Sequence, residues 1–318
     1  MNKKAFWMAA FTIIVWGSSF AAIRASLHGG YSAGHLVLLR FLIASGIFAI
    51  YALWPGTQFR LPKKEDFIRI CALGWIGISV YQLCVTFGEK TVSAGTASML
   101  IAAAPVFTAV IAVIVLKEKL GLFGWVGLFV GFIGIFLITL GTAGSTFGIS
   151  AGAFLILVAS IATSVFFVFQ KPLLYSYQPI ELTAYFTWVG TLPFFIFFPG
   201  LFQEIQGATT EATMAAIYVG IFPAALAYVT WAVALSLGEA SAVTSMMYIE
   251  PVFAILVAWV WLKELPSTLS VIGGIVAILS VVIVNALGRR RRETLLNESG
   301  NGKSGKGIKY GYSLSSKR

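Results

Sequence analysis

Charge is scarce in this chain. Charged residues are 11% of its 318 positions, against about 25% in soluble domains. Hydrophobic residues reach 58%, which leaves too little polar surface to clothe a soluble globule. Aspartate is nearly missing. With Asp66 the sole example, a pair of intramembrane aspartates is excluded, and neither an H-E-x-x-H nor a G-x-S-x-G pattern occurs to carry hydrolytic chemistry. The histidines, His28 and His35, border one loop and offer no metal centre. Cys71 and Cys84 share one apolar run, some 20 Å apart if helical, too far to bridge. No phosphate loop is present to spend ATP. What the chain does have is bulk: 26 Phe and 9 Trp can bury far more apolar surface than a disordered segment does.

That apolar surface is divided into ten runs, each near the roughly 20 residues a spanning helix needs. They are Ala5–Leu27, Ala33–Leu53, Phe67–Phe87, Ala94–Leu116, Leu122–Gly141, Ile149–Gln170, Ile180–Phe198, Ala212–Leu235, Ser241–Leu262 and Thr268–Leu287. The first is too long for a signal peptide and lacks a cleavage motif, so it stays in the mature protein. If the N-terminus is cytoplasmic, 18 of the 22 Lys and Arg fall inside and only Arg24, Arg40, Lys90 and Lys263 fall outside. Positive residues in short loops hold to the cytoplasmic side, so both termini are predicted inside. The net charge of +10 is then a topology signal, and its dispersal over loops argues against nucleic-acid binding. After Leu287 the sequence turns to Arg289-Arg290-Arg291-Arg292 and a Gly/Ser/Lys-rich stretch, predicted to be a topology anchor followed by a disordered basic cytoplasmic tail over 289–318, with anionic lipid held by the four arginines as the alternative.

Pro105-Val106-Phe107 recurs as Pro251-Val252-Phe253, and Leu116-Lys117-Glu118 recurs as Leu262-Lys263-Glu264, both at an offset of 146. Gly74 with Gly220, Ala94 with Ala240 and Gly127 with Gly273 keep the same offset. This reads as a duplication into halves 1–143 and 144–288. Five spans per half is an odd number, so the second half enters the bilayer from the opposite side. The predicted fold is an all-α membrane protein of ten transmembrane helices in two inverted five-helix repeats, an architecture of secondary transporters with a midplane site.

Trp16-Gly17-Ser18-Ser19-Phe20, Leu39-Arg40-Phe41, Ala94 with Pro105, Glu118, and then Ala240, Glu250-Pro251 and Glu264 resemble the EamA-type carriers of the drug/metabolite transporter superfamily. The resemblance covers residues 5–287. It implies an inner-membrane carrier of small metabolites, often an exporter of amino acids or related compounds, with no cofactor.

Glu250 is the residue on which transport chemistry is expected to rest. A charge inside a span costs at least about 2.5–3.5 kcal/mol. It therefore faces a cavity, where it binds a cationic substrate group or a coupling proton, or it serves as a structural acid. Pro251 is expected to bend its helix, and Pro105, its repeat mate, to hinge the other half, where Ala104 replaces the acid. Trp16, Ser19, Tyr81, Gln82, Ser98, Gln170, Tyr228, Trp231 and Tyr248 complete the candidate substrate-binding set, as stacking rings and orienting polar groups. Packing is the competing role for each. This set predicts an apolar pocket with one carboxylate and no mid-depth cation, suited to a neutral, zwitterionic or aromatic solute. Arg24 and Arg40 are expected at the outer ends of their spans, snorkelling to the interface or pairing across the entrance with Glu89. The Gly121, Gly124, Gly127, Gly131 and Gly134 series is expected to pack span 5 against span 10 or a second subunit. A passive pore and a lipid translocase are the alternatives the same repeat supports.

Overall fold

The computed structural model describes residues 2–115, 122–142, 150–238, 243 and 246–280. Lys117, Glu118, Ala240 and the basic tail lie outside them. The described residues are helical and contain no strand. The chain runs through α1 (Lys3–His28), α2 (Ala33–Leu53), α3 (Phe67–Gly74), α4 (Tyr81–Gly88), α5 (Ala94–Ile101), α6 (Ala104–Val115) and α7 (Leu122–Leu140). It continues with α8 (Ala151–Gln170), α9 (Pro179–Thr191), α10 (Leu201–Gly207), α11 (Thr210–Ile221), α12 (Tyr228–Leu237), α13 (Glu250–Leu262) and α14 (Thr268–Ser280). A π-helical turn, Trp75–Val80, joins α3 to α4, and another, Phe222–Ala227, joins α11 to α12. Six of the ten expected spans are helices long and apolar enough to cross a membrane. The other four are represented by shorter apolar helices that border residues outside the described set.

Helix starts follow from local chemistry. Ser32, Ser93, Ser150 and Thr209 each accept a hydrogen bond from a first-turn N–H, which satisfies a donor that hydrocarbon would leave bare. Pro179 opens α9 beside a capping box of Gln178 and Glu181. Side-chain size sorts inside from outside. Large apolar groups such as Trp7, Ile68, Trp75, Phe129, Phe136 and Trp259 point outward, while Ala, Gly, Ser and Thr dominate the buried faces. Small residues let backbones approach closely, and dispersion then holds the helices together. At Gly134 an added Cβ would lie 2.5 Å from the Ala277 backbone nitrogen and at Gly131 it would lie 2.8 Å from Ser280 Oγ, so these two glycines of the span-5 series serve contact with α14 within this chain, while Gly121 lies outside the described residues.

Both halves break at matching places. Span 4 is interrupted at Ala102 and Ala103 before α6 starts at Ala104, and in the second half a 3-10 turn, Met246–Ile249, precedes α13 at Glu250. Ala104 and Glu250 are repeat mates. Pro251 therefore does not bend a continuous helix as the sequence led us to expect. It sits in the first turn of a new one, where its missing N–H has no intrahelical acceptor to lose. The two π-helical turns also fall at equivalent positions in the halves. The repeat is visible in contacts as well. Gln82 Nε2 donates to the Tyr228 hydroxyl at 3.2 Å, and the Ser45 and Thr191 hydroxyls lie 3.1 Å apart, each pair separated by 146 positions. A residue touches its own mate only near the axis relating the halves.

Two predictions follow from packing. An added Cβ at Gly17 would stand 2.8 Å from the Phe253 Cβ and 2.9 Å from the Glu250 carbonyl oxygen, so Gly17→Val should cost about 1–3 kcal/mol through forced separation of α1 and α13, read as a lower thermal midpoint in detergent. At the Gly30 end of the bundle, Glu204 accepts from the Ser32 N–H at 2.8 Å and lies 2.8 Å from His35 Nδ1. Burial raises its pKa, but these bonds outweigh it and hold the carboxyl below its ordinary 4.5. A depressed carboxylate contributes stability above its unfolded pKa and loses it as pH falls through the folded one. Glu204→Gln should therefore lower the midpoint at neutral pH, and the difference from the parent should close as pH drops below 4.5.

Candidate functional site

Where α1, α2, α4, α8 and α12 meet the start of α13, they enclose a cavity of about 30 Å³, room for one or two waters. It lies beside the Gln82–Tyr228 pair, and so on the axis between the halves. Of the sequence candidates, Trp16, Ser19, Tyr81, Gln82, Tyr228 and Glu250 line it. Trp231 stands behind the wall, its ring 5.3 Å from Trp16 and 5.4 Å from Phe167. Ser98, Gln170 and Tyr248 do not reach the cavity. The Ser98 hydroxyl is spent on the Gly95 carbonyl at 2.7 Å. Gln170 is buried at the far end of α8, and Tyr248 packs on the cluster of Ala103, Val106, Leu128 and Ile135.

The aromatic wall is built from opposite halves. Trp16 lies 6.5 Å from Phe167 in a stacked arrangement and 5.4 Å edge-on from Tyr228. Its indole N–H donates to the Pro223 carbonyl at 3.2 Å. Pro223 lies in the second π-helical turn, where widened backbone presents a carbonyl to a side chain.

Arg40 is the principal correction. The sequence placed it at the outer interface and found no mid-depth cation, whereas Arg40 is 1% exposed and lines the cavity. Its Nη2 donates to Gln82 Oε1 at 3.0 Å and its Nη1 to Thr86 Oγ1 at 3.3 Å, while Nε has no partner. The signal was available as depth. Seven residues of helix separate Arg40 from Ala33, about 10 Å at 1.5 Å per residue, beyond easy snorkelling. Across the cavity Glu250 is 2% exposed, and its Oε2 also lacks a partner. No ion pair joins the two; the ion pairs among the described residues are Arg24–Glu264 and His35–Glu204. Glu250 opens α13, where the positive end of the helix dipole favours an anion. The sequence also missed Thr163 and Phe167, one helical turn apart on α8, whose shared face no single-sequence pattern singles out. Of the two roles expected for Arg24, pairing is the one observed, with Glu264 in place of the Glu89 carboxyl.

The sequence pattern of the EamA-like transporter family matches residues 3–140 and again 150–286. The chain belongs to the EamA-like transporter family. The double match is the duplication seen in the contacts, and membership makes the protein a multi-pass membrane transporter, not an enzyme. An uncharacterized transporter of Bacillus subtilis, YdfC, is 37% identical over 83% of this chain and 85% of its own length. A probable terminal-alkyne amino-acid exporter of Streptantibioticus cattleyicolor is 35% identical over 91% of this chain and 96% of its own. A crystal structure at 18% identity superposes with a TM-score of 0.63, covering 91% of this chain and 99% of the other, and attests the shared fold.

The Arg40 fork is the most demanding part of this EamA-like cavity. Arg40→Lys keeps the charge but replaces a planar fork with a point donor, and loss of one buried bond should cost about 1–3 kcal/mol, measured as a drop in denaturation midpoint.

Proposed function

We propose that this carrier exports small zwitterionic, amino-acid-like solutes across the plasma membrane by alternating access. The observation that carries this reading is a buried guanidinium and a buried carboxyl in one cavity, each with an unpartnered atom. Arg40 offers a free Nε and Glu250 a free Oε2, which together match a substrate carboxylate and ammonium. A buried charge is costly alone, and a zwitterion supplies a carboxylate to Arg40 and an ammonium beside which Glu250 ionises. Trp16, Tyr81, Phe167 and Tyr228 give the side chain an apolar and cation-tolerant wall, and the Gln82–Tyr228 bridge holds Arg40 in place. The name borne by the Streptantibioticus relative agrees with an amino-acid cargo.

Ten spans with both termini cytoplasmic complete this reading, and the halves 1–143 and 144–288 rock about the shared axis, with the helix breaks before Pro105 and Pro251 as hinges. About 30 Å³ is far below the roughly 300 Å³ or more of a formed ligand site. The conformation is closed, and the site opens by separation of the aromatic wall.

Counterflow in proteoliposomes tests the reading. Vesicles loaded with unlabelled neutral amino acids should take up labelled ones saturably, and Glu250→Gln should reduce exchange tenfold or more, as about 1.5–3 kcal/mol for a charged hydrogen bond requires. Equal exchange of free amino acids and their N-acetyl amides would show that the charges are not read, and would overturn it.

A further inference from the structure

At the Arg24 end of the bundle, three strands of chain are tied by one guanidinium. Arg24 Nε meets Glu264 Oε1 at 3.0 Å and Oε2 at 2.9 Å. Its Nη1 donates to the backbone carbonyl of Glu89. α1, the end of α4 and the loop after α13 are thus latched together. Glu264 is delivered by Lys263, whose φ of 58° is the one left-handed non-glycine backbone among the described residues.

The Glu89 side chain is left over. It is 0% exposed, and neither carboxyl oxygen has a hydrogen-bond partner. The charges acting on it are Arg40 from α2, Arg24 from α1 and Glu264 from the loop after α13. Tyr81 lies about two turns earlier on its own helix, Lys90 beside it is exposed, and α8, which packs on Gly88, has no ionisable residue. Both arginines direct their hydrogen bonds elsewhere. A desolvated carboxylate with no bond and no ion pair is sustained here only as the neutral acid.

We propose that Glu89 is a proton-binding site that works the Arg24–Glu264 latch. Protonated, Glu89 leaves Arg24 to Glu264 and the end stays shut. Deprotonated, it becomes a second anion at a guanidinium already bonded to its own carbonyl, draws Arg24 from Glu264 and frees the loop after α13. Because the same carboxyl feels Arg40, the proton also reports on the cavity. The inference builds on the alternating-access reading but assigns the proton to Glu89, leaving Glu250 to the substrate.

The test needs no substrate. In full-length chain carrying Cys71→Ser, Cys84→Ser and Ile23→Cys, the position-23 thiol lines the cavity one residue from the latch. Its labelling by a membrane-impermeant maleimide in proteoliposomes is followed from pH 5.5 to 8.5, and each rate is divided by that of the same chain with Glu89→Gln, which cancels thiol ionisation. The ratio should start near one and rise about tenfold, as a minor open state of roughly 10% or less becomes the main one. Glu89→Asp should keep the rise, and Glu264→Gln should label fast at every pH. A ratio flat across the range, or a rise abolished by Glu250→Gln, would overturn the proposal. Failure of amino-acid counterflow would leave it standing.

Discussion

Hydrocarbon offers no hydrogen-bond partners, and this constraint shapes the molecule at every level. It explains why Ser and Thr open the helices, where their oxygens meet first-turn N–H groups, and why the helix interruptions coincide with Pro105 and Pro251. It also makes the exceptions informative. Most buried polar groups here are spent on a neighbour one turn away, as the Ser98 hydroxyl is on Gly95. Among the acidic and basic side chains, Arg40, Glu89 and Glu250 keep unpartnered buried atoms, and they belong to the cavity and to the latch.

Near-symmetry supplies the mechanics and its failure supplies the chemistry. The two π-helical turns, the two helix breaks and the pairs Gln82–Tyr228 and Ser45–Thr191 are repeated or shared about one axis. Arg40, Glu89 and Glu250 are not. Ala104 faces Glu250 across the repeat, Phe186 faces Arg40, and Leu235 faces Glu89. In the proposed transport cycle two similar halves exchange two similar shapes at little cost, while unlike side chains fix the orientation of the solute. Glu250 comes from the second half and Arg40 from the first, so the cavity draws its acid and its base from different halves.

The cavity and the latch are one electrostatic unit. Arg40, in the cavity wall, and Arg24, in the latch, both act on the Glu89 carboxyl between them. In a medium where charges are weakly screened, rearranging one pair alters the others without a chain of mechanical contacts.

The amino-acid sequence by itself determined the membrane character, the apolar segments, the duplication and its 146-residue offset, because each depends on composition or spacing along one strand of chain. It also pointed to Glu250, since an acid within an apolar run is costly wherever it faces. Rotation about each helix axis is what it left open. Trp16, Tyr81, Gln82 and Tyr228 turned toward the cavity and Ser98 and Tyr248 turned away, although residue type gave all six equal standing. Arg40 was read as an interface residue because its charge sign mattered more to the topology rule than its depth. Pairing of Arg24 near Glu89 was offered by the sequence, but Glu264 as its partner was beyond reach, as the two are joined only when distant helices pack. Such contacts are decided by which small residues let which backbones approach, a property of pairs of helices in three dimensions.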